Sequence, residues 1–130
     1  MAARKRSPVK ELTKLKPITR TIRLLRAQGW VVADRVEERR GLISFDWGGF
    51  ADVIAWRHPS EWLCVQCTGN HGGDVRRRIR KIDASPRARA MVYAGVRIEV
   101  WGWRRDKEDP RVVQVMPQDL GCPVVALAAL

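Results

Sequence analysis

The chain has 130 residues, 45% hydrophobic and 30% charged, a balance that excludes a disordered or collagen-like chain and suits one globular domain. Lysine and arginine number 25 against 14 acidic residues, a formal charge of +11. That field attracts polyanions, and counterion release from phosphates makes nucleic acid the partner it favours over an anionic membrane.

Three cysteines, Cys64, Cys67 and Cys122, are an odd number, which argues against a disulfide framework and for a reducing cytoplasm. The opening MAARKRSPVK has no apolar h-region, and the longest apolar run, PVVALAAL, is too short for a bilayer. No membrane association is expected. Residues 1–14 read as a basic flexible arm able to follow a phosphate backbone. Residues 15–116 read as the folded domain, and residues 117–130 as a C-terminal apolar segment available for a dimer contact.

From Pro17, Ile18, Ile22 and Leu25 recur at helical spacing, and Gly29 suits the stop. Trp30, Val31 and Val32 open a strand ending near Val36. A Gly-rich stretch leads to a second strand in FADVIAW. After His58, Pro59 and Ser60 comes WLCVQCT, a third strand in which Leu63, Val65 and Cys67 alternate with Cys64, Gln66 and Thr68. GNHGGD reads as a loop. Asp74 then caps a second helix whose Val75, Ile79 and Ile82 share one face while Arg76, Arg77, Arg78, Arg80 and Lys81 cover the rest. Ser85 and Pro86 start a third helix running through Tyr93 to Gly95. VRIEVWGW is a strand and RVVQVM an edge strand. The order predicts an α/β or α+β domain with a mixed central sheet flanked by helices.

Hydrolysis of a phosphodiester with a divalent cation needs oxygen ligands converging from the ends of rigid strands. The segment DWGGFADVIAW carries Asp46 and, at the start of an apolar strand, Asp52. A buried carboxylate there requires a counter-ion, and Mg²⁺ is a natural one. Fourteen positions later Gln66 offers an amide oxygen, with Thr68 on the same strand face. Trp47, beside the glycines, is placed to stack on a splayed base. The crowded cations of the second helix call for an anion, and His71 at its entrance is a further phosphate contact. Cys64 and Cys67, three apart on a strand, point to opposite faces and do not form a zinc site.

A helix, a strand, GxxD opening a second strand, and a third strand with a polar-x-polar pair together resemble the PD-(D/E)xK nuclease superfamily. Within it, the small size and the basic helix after the third strand are most similar to archaeal-type Holliday junction resolvases, including phage-encoded relatives. The resemblance covers about residues 17–103. It implies a restriction-endonuclease-like core in which Asp52 binds Mg²⁺, with Mn²⁺ as a substitute. Gln66 would supply a neutral ligand, and the Cys67 carbonyl would complete the shell. An upstream glutamate is implied too: Glu37 first, with Glu11 and Glu38 behind it. This chain departs from the family in carrying Gln66 for the acid and Thr68 for the lysine. Asp46 is the candidate to restore the carboxylate, Arg78 or Lys81 the missing cation, and Thr68 the group that orients water.

The implied activity is structure-selective endonucleolytic cleavage of branched DNA in recombination and repair, leaving 5′-phosphate and 3′-hydroxyl ends. The two strands cut in a four-way junction imply a C₂ homodimer, with VVALAAL in its interface. The alternatives are a related nuclease with another DNA substrate, of restriction or repair type, and a non-catalytic DNA-binding protein.

Overall fold

A computed structural model describes residues 15–33, 36–69, 72–104 and 107–121 of the chain. The basic arm with Glu11, the phosphate contact His71, Cys122 and the apolar run VVALAAL lie outside the described residues.

Helix α1 (Pro17–Ala27) starts on a proline whose restricted φ suits a first turn. Strand β1 (Val31–Val32) follows, then a separate antiparallel ribbon of β2 (Glu38–Arg40) and β3 (Ile43–Phe45). The main sheet continues with β4 (Val53–Arg57) and β5 (Glu61–Gly69). Helices α2 (Gly72–Asp83) and α3 (Pro86–Tyr93) carry the chain across to β6 (Arg97–Trp103). Strand β7 (Arg111–Gln114) and a 3₁₀ turn (Pro117–Asp119) end the described part. The five strands lie in the order β1-β4-β5-β6-β7, all neighbours antiparallel except β5 and β6. Among the described residues the fold is thus mixed α/β, with three helices against a five-stranded mixed sheet.

Strand β5 is central, and its residues 63–68 are all buried because helices cover both faces. Leu63, Val65 and Cys67 face α1, where Leu25, Trp30, Trp101 and Trp103 complete one core. Cys64 faces α2 and α3, with Val75, Ile82, Ala88 and Ile98 in the other. The expected separation of the two cysteines is therefore observed. Both are free and buried, and burial pushes their thiols up to about 11 for Cys64 and about 12 for Cys67, away from the thiolate state that zinc and redox chemistry need.

Several elements differ in detail from the sequence prediction. The ribbon β2–β3 is unforeseen, since the run EERRGLIS has no alternating apolar pattern to announce it. Asp74 lies inside the first turn of α2, which starts at Gly72; it favours the helix dipole and pairs with Arg77 at 2.9 Å. On α1, Leu25 is buried, but Ile18 is 38% exposed while Arg20 and Thr21 are buried. Arg20 enters because its guanidinium stacks over Trp103 at 4.3 Å and donates to the Lys107 carbonyl at 2.7 Å. Thr21 enters because its hydroxyl donates to the Pro17 carbonyl and accepts from the Trp103 indole, both at 2.8 Å. Among the described residues no helix is long and apolar enough to cross a membrane.

Helix α2 approaches the sheet closely over Gly102, where an added Cβ would lie 3.0 Å from Cγ2 of Val75. Gly102→Ile should therefore cost about 1–3 kcal/mol through overpacking. Adding Val75→Ala should return part of that loss, read as a non-additive double-mutant cycle in urea melts.

Candidate active site

Strand β4 begins where the chain stops following β5. Trp47 and Ala51 exchange main-chain hydrogen bonds in both directions, at 3.1 and 2.9 Å, which turns the Ala51 carbonyl away from β5. The reversal between them needs two successive left-handed residues, and Gly48 (φ +63°) and Gly49 (φ +79°) supply them. Ser85, the N-cap of α3, holds this turn by donating its hydroxyl to the Gly48 carbonyl at 3.0 Å. The Ser85–Pro86 pair announces only a helix start; nothing in its spacing reveals the second bond.

Asp52 fills the resulting gap in the ladder. Its main-chain N–H still donates to the Val65 carbonyl at 2.9 Å. Its side chain then replaces the missing carbonyl, Oδ2 accepting the Cys67 N–H at 2.8 Å and Gln66 Nε2 at 2.6 Å. The two residues foreseen as partners from separate strands are therefore in contact. Gln66 is 1% exposed, and its amide oxygen Oε1 is buried without a hydrogen-bond partner among the described residues. An unpartnered acceptor in that position costs free energy unless a donor or cation reaches it.

Asp46, on the other limb of the turn, comes back beside Asp52. Its Oδ2 accepts from Lys81 Nζ of α2 at 2.5 Å. Asp46, Asp52 and Glu37 line one cavity of about 420 Å³, walled by Ile18 and Ile22 of α1 together with Ala33, Val36 and Ala51. Burial raises the Asp52 carboxyl to about 6; the Cys67 N–H opposes the rise, the like charge and carboxyl contact of Asp46 add to it, and Lys81 again opposes it.

The remaining predicted residues are placed less centrally. Thr68 shares the strand face of Gln66 but is 4% exposed. Its hydroxyl donates weakly to the Gly69 carbonyl at 3.5 Å, and among the described residues no hydrogen bond ties it to Asp46, Asp52 or Gln66. Cys67 brings its main-chain N–H to Asp52 and its thiol to Thr21. Glu38 points to Arg87 at 3.7 Å, whereas Glu37 lies on the cavity wall. Trp47 is half-buried, edge-on to Phe50 with ring centroids 6.2 Å apart. On α2, Arg76, Arg77 and Arg80 are exposed, while Arg78 and Lys81 are half-buried.

Among the described residues no three His, Cys, Asp or Glu side chains form a group able to hold a metal ion. The oxygen donors that do assemble are the carboxylates of Asp46 and Asp52, with Glu37 on the same cavity wall, while the Gln66 amide meets Asp52 through its nitrogen. They are hard ligands suited to Mg²⁺ or Mn²⁺, and the orphaned Oε1 of Gln66 is the group that fits a cation best. Comparison with protein families, curated proteins and solved structures returns no match to this chain.

Because the Asp52 pKa rises from 3.8 to about 6 on folding, the native state holds a proton between those values that the unfolded chain has lost. The associated stability is full below about pH 4 and disappears as pH rises through about 6. Asp52→Asn, which cannot ionise, should accordingly stabilise the metal-free protein by about 1–2 kcal/mol at pH 7.5, after discounting for partial exposure. In thermal melts with EDTA the gain should vanish near pH 4; a gain independent of pH would contradict this origin.

Proposed function

We propose that the chain is a Mg²⁺-dependent endodeoxyribonuclease of the PD-(D/E)xK type that cuts branched DNA, four-way junctions foremost. The single observation that carries the reading is the Asp52–Gln66 contact across β4 and β5, with the Gln66 oxygen left over. The order of α1, the antiparallel strands β1, β4 and β5, the crossover helices and the parallel strand β6 supports it. So does the charge of +11.

Asp52, Asp46 and Gln66 would hold the ion, with Glu37 at the cavity wall. When bound, Mg²⁺ supplies Lewis acidity at the scissile phosphate and offsets the charge of the carboxylates. Lys81 takes the place of the absent strand lysine: anchored by Asp46, it keeps a positive charge beside the carboxylates, where negative charge develops on phosphorus. The carboxylates line a cavity with apolar walls, which lowers the local dielectric and strengthens each of these interactions. Arg76, Arg77 and Arg80 on the exposed side of α2 contact phosphates away from the cut. Cleavage of two symmetric strands calls for a C₂ homodimer.

Gln66 keeps the negative charge of the site low. A glutamate at this position would bring a second carboxylate into contact with Asp52, whereas the amide donates to it. Gln66→Glu should therefore lower the melting temperature in EDTA and enlarge the rise produced by Mg²⁺. An unchanged Mg²⁺ response would remove the amide from the ion's coordination shell.

With Mg²⁺ or Mn²⁺ and a labelled four-way junction, the protein should cut symmetrically. Asp52→Asn should bind the junction and leave it intact, and Lys81→Met should slow cutting by on the order of 10²-fold with little loss of binding. Binding without cleavage of any DNA by the unaltered chain would instead establish a non-catalytic DNA-binding protein. Equal cutting of linear duplex would establish a nuclease of restriction or repair type.

A further inference from the structure

The β2–β3 ribbon stands outside the main sheet and connects two residues of the candidate site: Glu37 precedes β2 and Asp46 follows β3. Its register, Glu38↔Phe45, Arg39↔Ser44 and Arg40↔Ile43, leaves Gly41 and Leu42 as a two-residue loop. Gly41 at φ +63° provides the left-handed conformation such loops need. The neighbouring tip position holds leucine instead of the usual polar residue. Leu42 is 105% exposed and Ile43 60% exposed. The base of the ribbon is tied to α3 through Glu38 and Arg87, 3.7 Å apart, and the side chains of Arg39 and Arg87 are 70% and 68% exposed.

An apolar tip on a base ion-paired to α3, flanked by guanidinium groups and rooted at a carboxylate cavity, suits an occupant that is anionic outside and apolar between its layers. Stacked DNA bases meet that description; a second copy of this cationic chain does not. A three-residue arm extends about 10 Å, enough to span a minor groove about 7.5 Å deep. Aliphatic side chains inserted there unstack base steps, at least cost where pairing is already interrupted.

We propose that the β2–β3 ribbon is a wedge that inserts Leu42 and Ile43 into the branch point of DNA and thereby selects branched substrates for the adjacent site. The inference rests on the proposed nuclease function for its substrate. Insertion itself is independent of hydrolysis and can be measured without it.

The probe is a four-way junction carrying 2-aminopurine at the branch point, compared with a matched linear duplex, both in EDTA. The unaltered protein should raise the junction fluorescence several-fold and leave the duplex signal unchanged. Leu42→Ser/Ile43→Ser should abolish the rise and the preference for junctions, while Leu42→Met should retain both. The double variant should melt at the temperature of the parent and keep its Mg²⁺-induced shift, which separates loss of the wedge from loss of the fold. A bound parent protein that leaves the junction stacked, or a double variant that still unstacks it, overturns the proposal. A double variant that turns a dimer into a monomer in sedimentation without altering fluorescence also overturns it, and identifies the tip as an interface between copies. Unstacking without cleavage under Mg²⁺ or Mn²⁺ supports the wedge and defeats the nuclease reading; cleavage without unstacking does the reverse.

Discussion

The Asp52 carboxylate stands in for a main-chain carbonyl. Where β4 peels from β5 to make the turn at Gly48 and Gly49, the Cys67 N–H would face an acceptor that has rotated away, and a buried orphan donor is costly. Oδ2 of Asp52 satisfies it, and the same atom takes the Gln66 amide. One atom thus closes the end of the ladder and forms the head of the candidate site. The other features of the site depend on this substitution: the burial of Gln66, the approach of Asp46 and the exit of the chain toward the cavity.

The arrangement carries an electrostatic cost that its surroundings only partly offset. Burial and the neighbouring Asp46 favour the protonated form of Asp52, while the Cys67 N–H and Lys81 favour the ionised one. The balance falls toward the neutral side of an ordinary carboxylate. A group whose ionised form is disfavoured by the fold is one that a cation can stabilise, and the same tension recurs at functional sites at the expense of stability. Gln66 moderates it, because an amide donates a hydrogen bond where an acid would add a second charge. The Lys81–Asp46 pair sets a positive charge nearby from a different element, α2, whose Arg76, Arg77 and Arg80 are exposed while Arg78 is half-buried.

The elements of the fold were largely legible in the sequence because their patterns are local. The helical spacing from Pro17, the alternation in WLCVQCT, the Ser85–Pro86 start and the apolar strand VRIEVWGW all appear as expected, within a residue or two. The ribbon was not legible. Its strands are three residues each, β2 is wholly charged, and the described Glu38, Arg39, Ile43 and Ser44 are not buried, so no period of two announces it. Arg20 and Thr21 were hidden for the opposite reason: their burial depends on Trp103 and the Lys107 carbonyl, more than eighty residues away. Ile18, freed from the core, lines the cavity instead.

For the candidate site, the sequence by itself determined the chemical types and their spacing along the chain: two aspartates bracketing a glycine turn, an amide on the next strand and a basic helix beyond. These follow from residue identity and from the two-residue and 3.6-residue periods of strand and helix. Only the tertiary structure decided which groups meet. It brought Asp52 to Gln66 through the strand register, chose Lys81 over Arg78 as the cation on Asp46, and brought Glu37 to the cavity while Glu38 went to Arg87. Such choices depend on where a strand leaves its partner and how far a helix leans over the sheet, distances that no local pattern encodes.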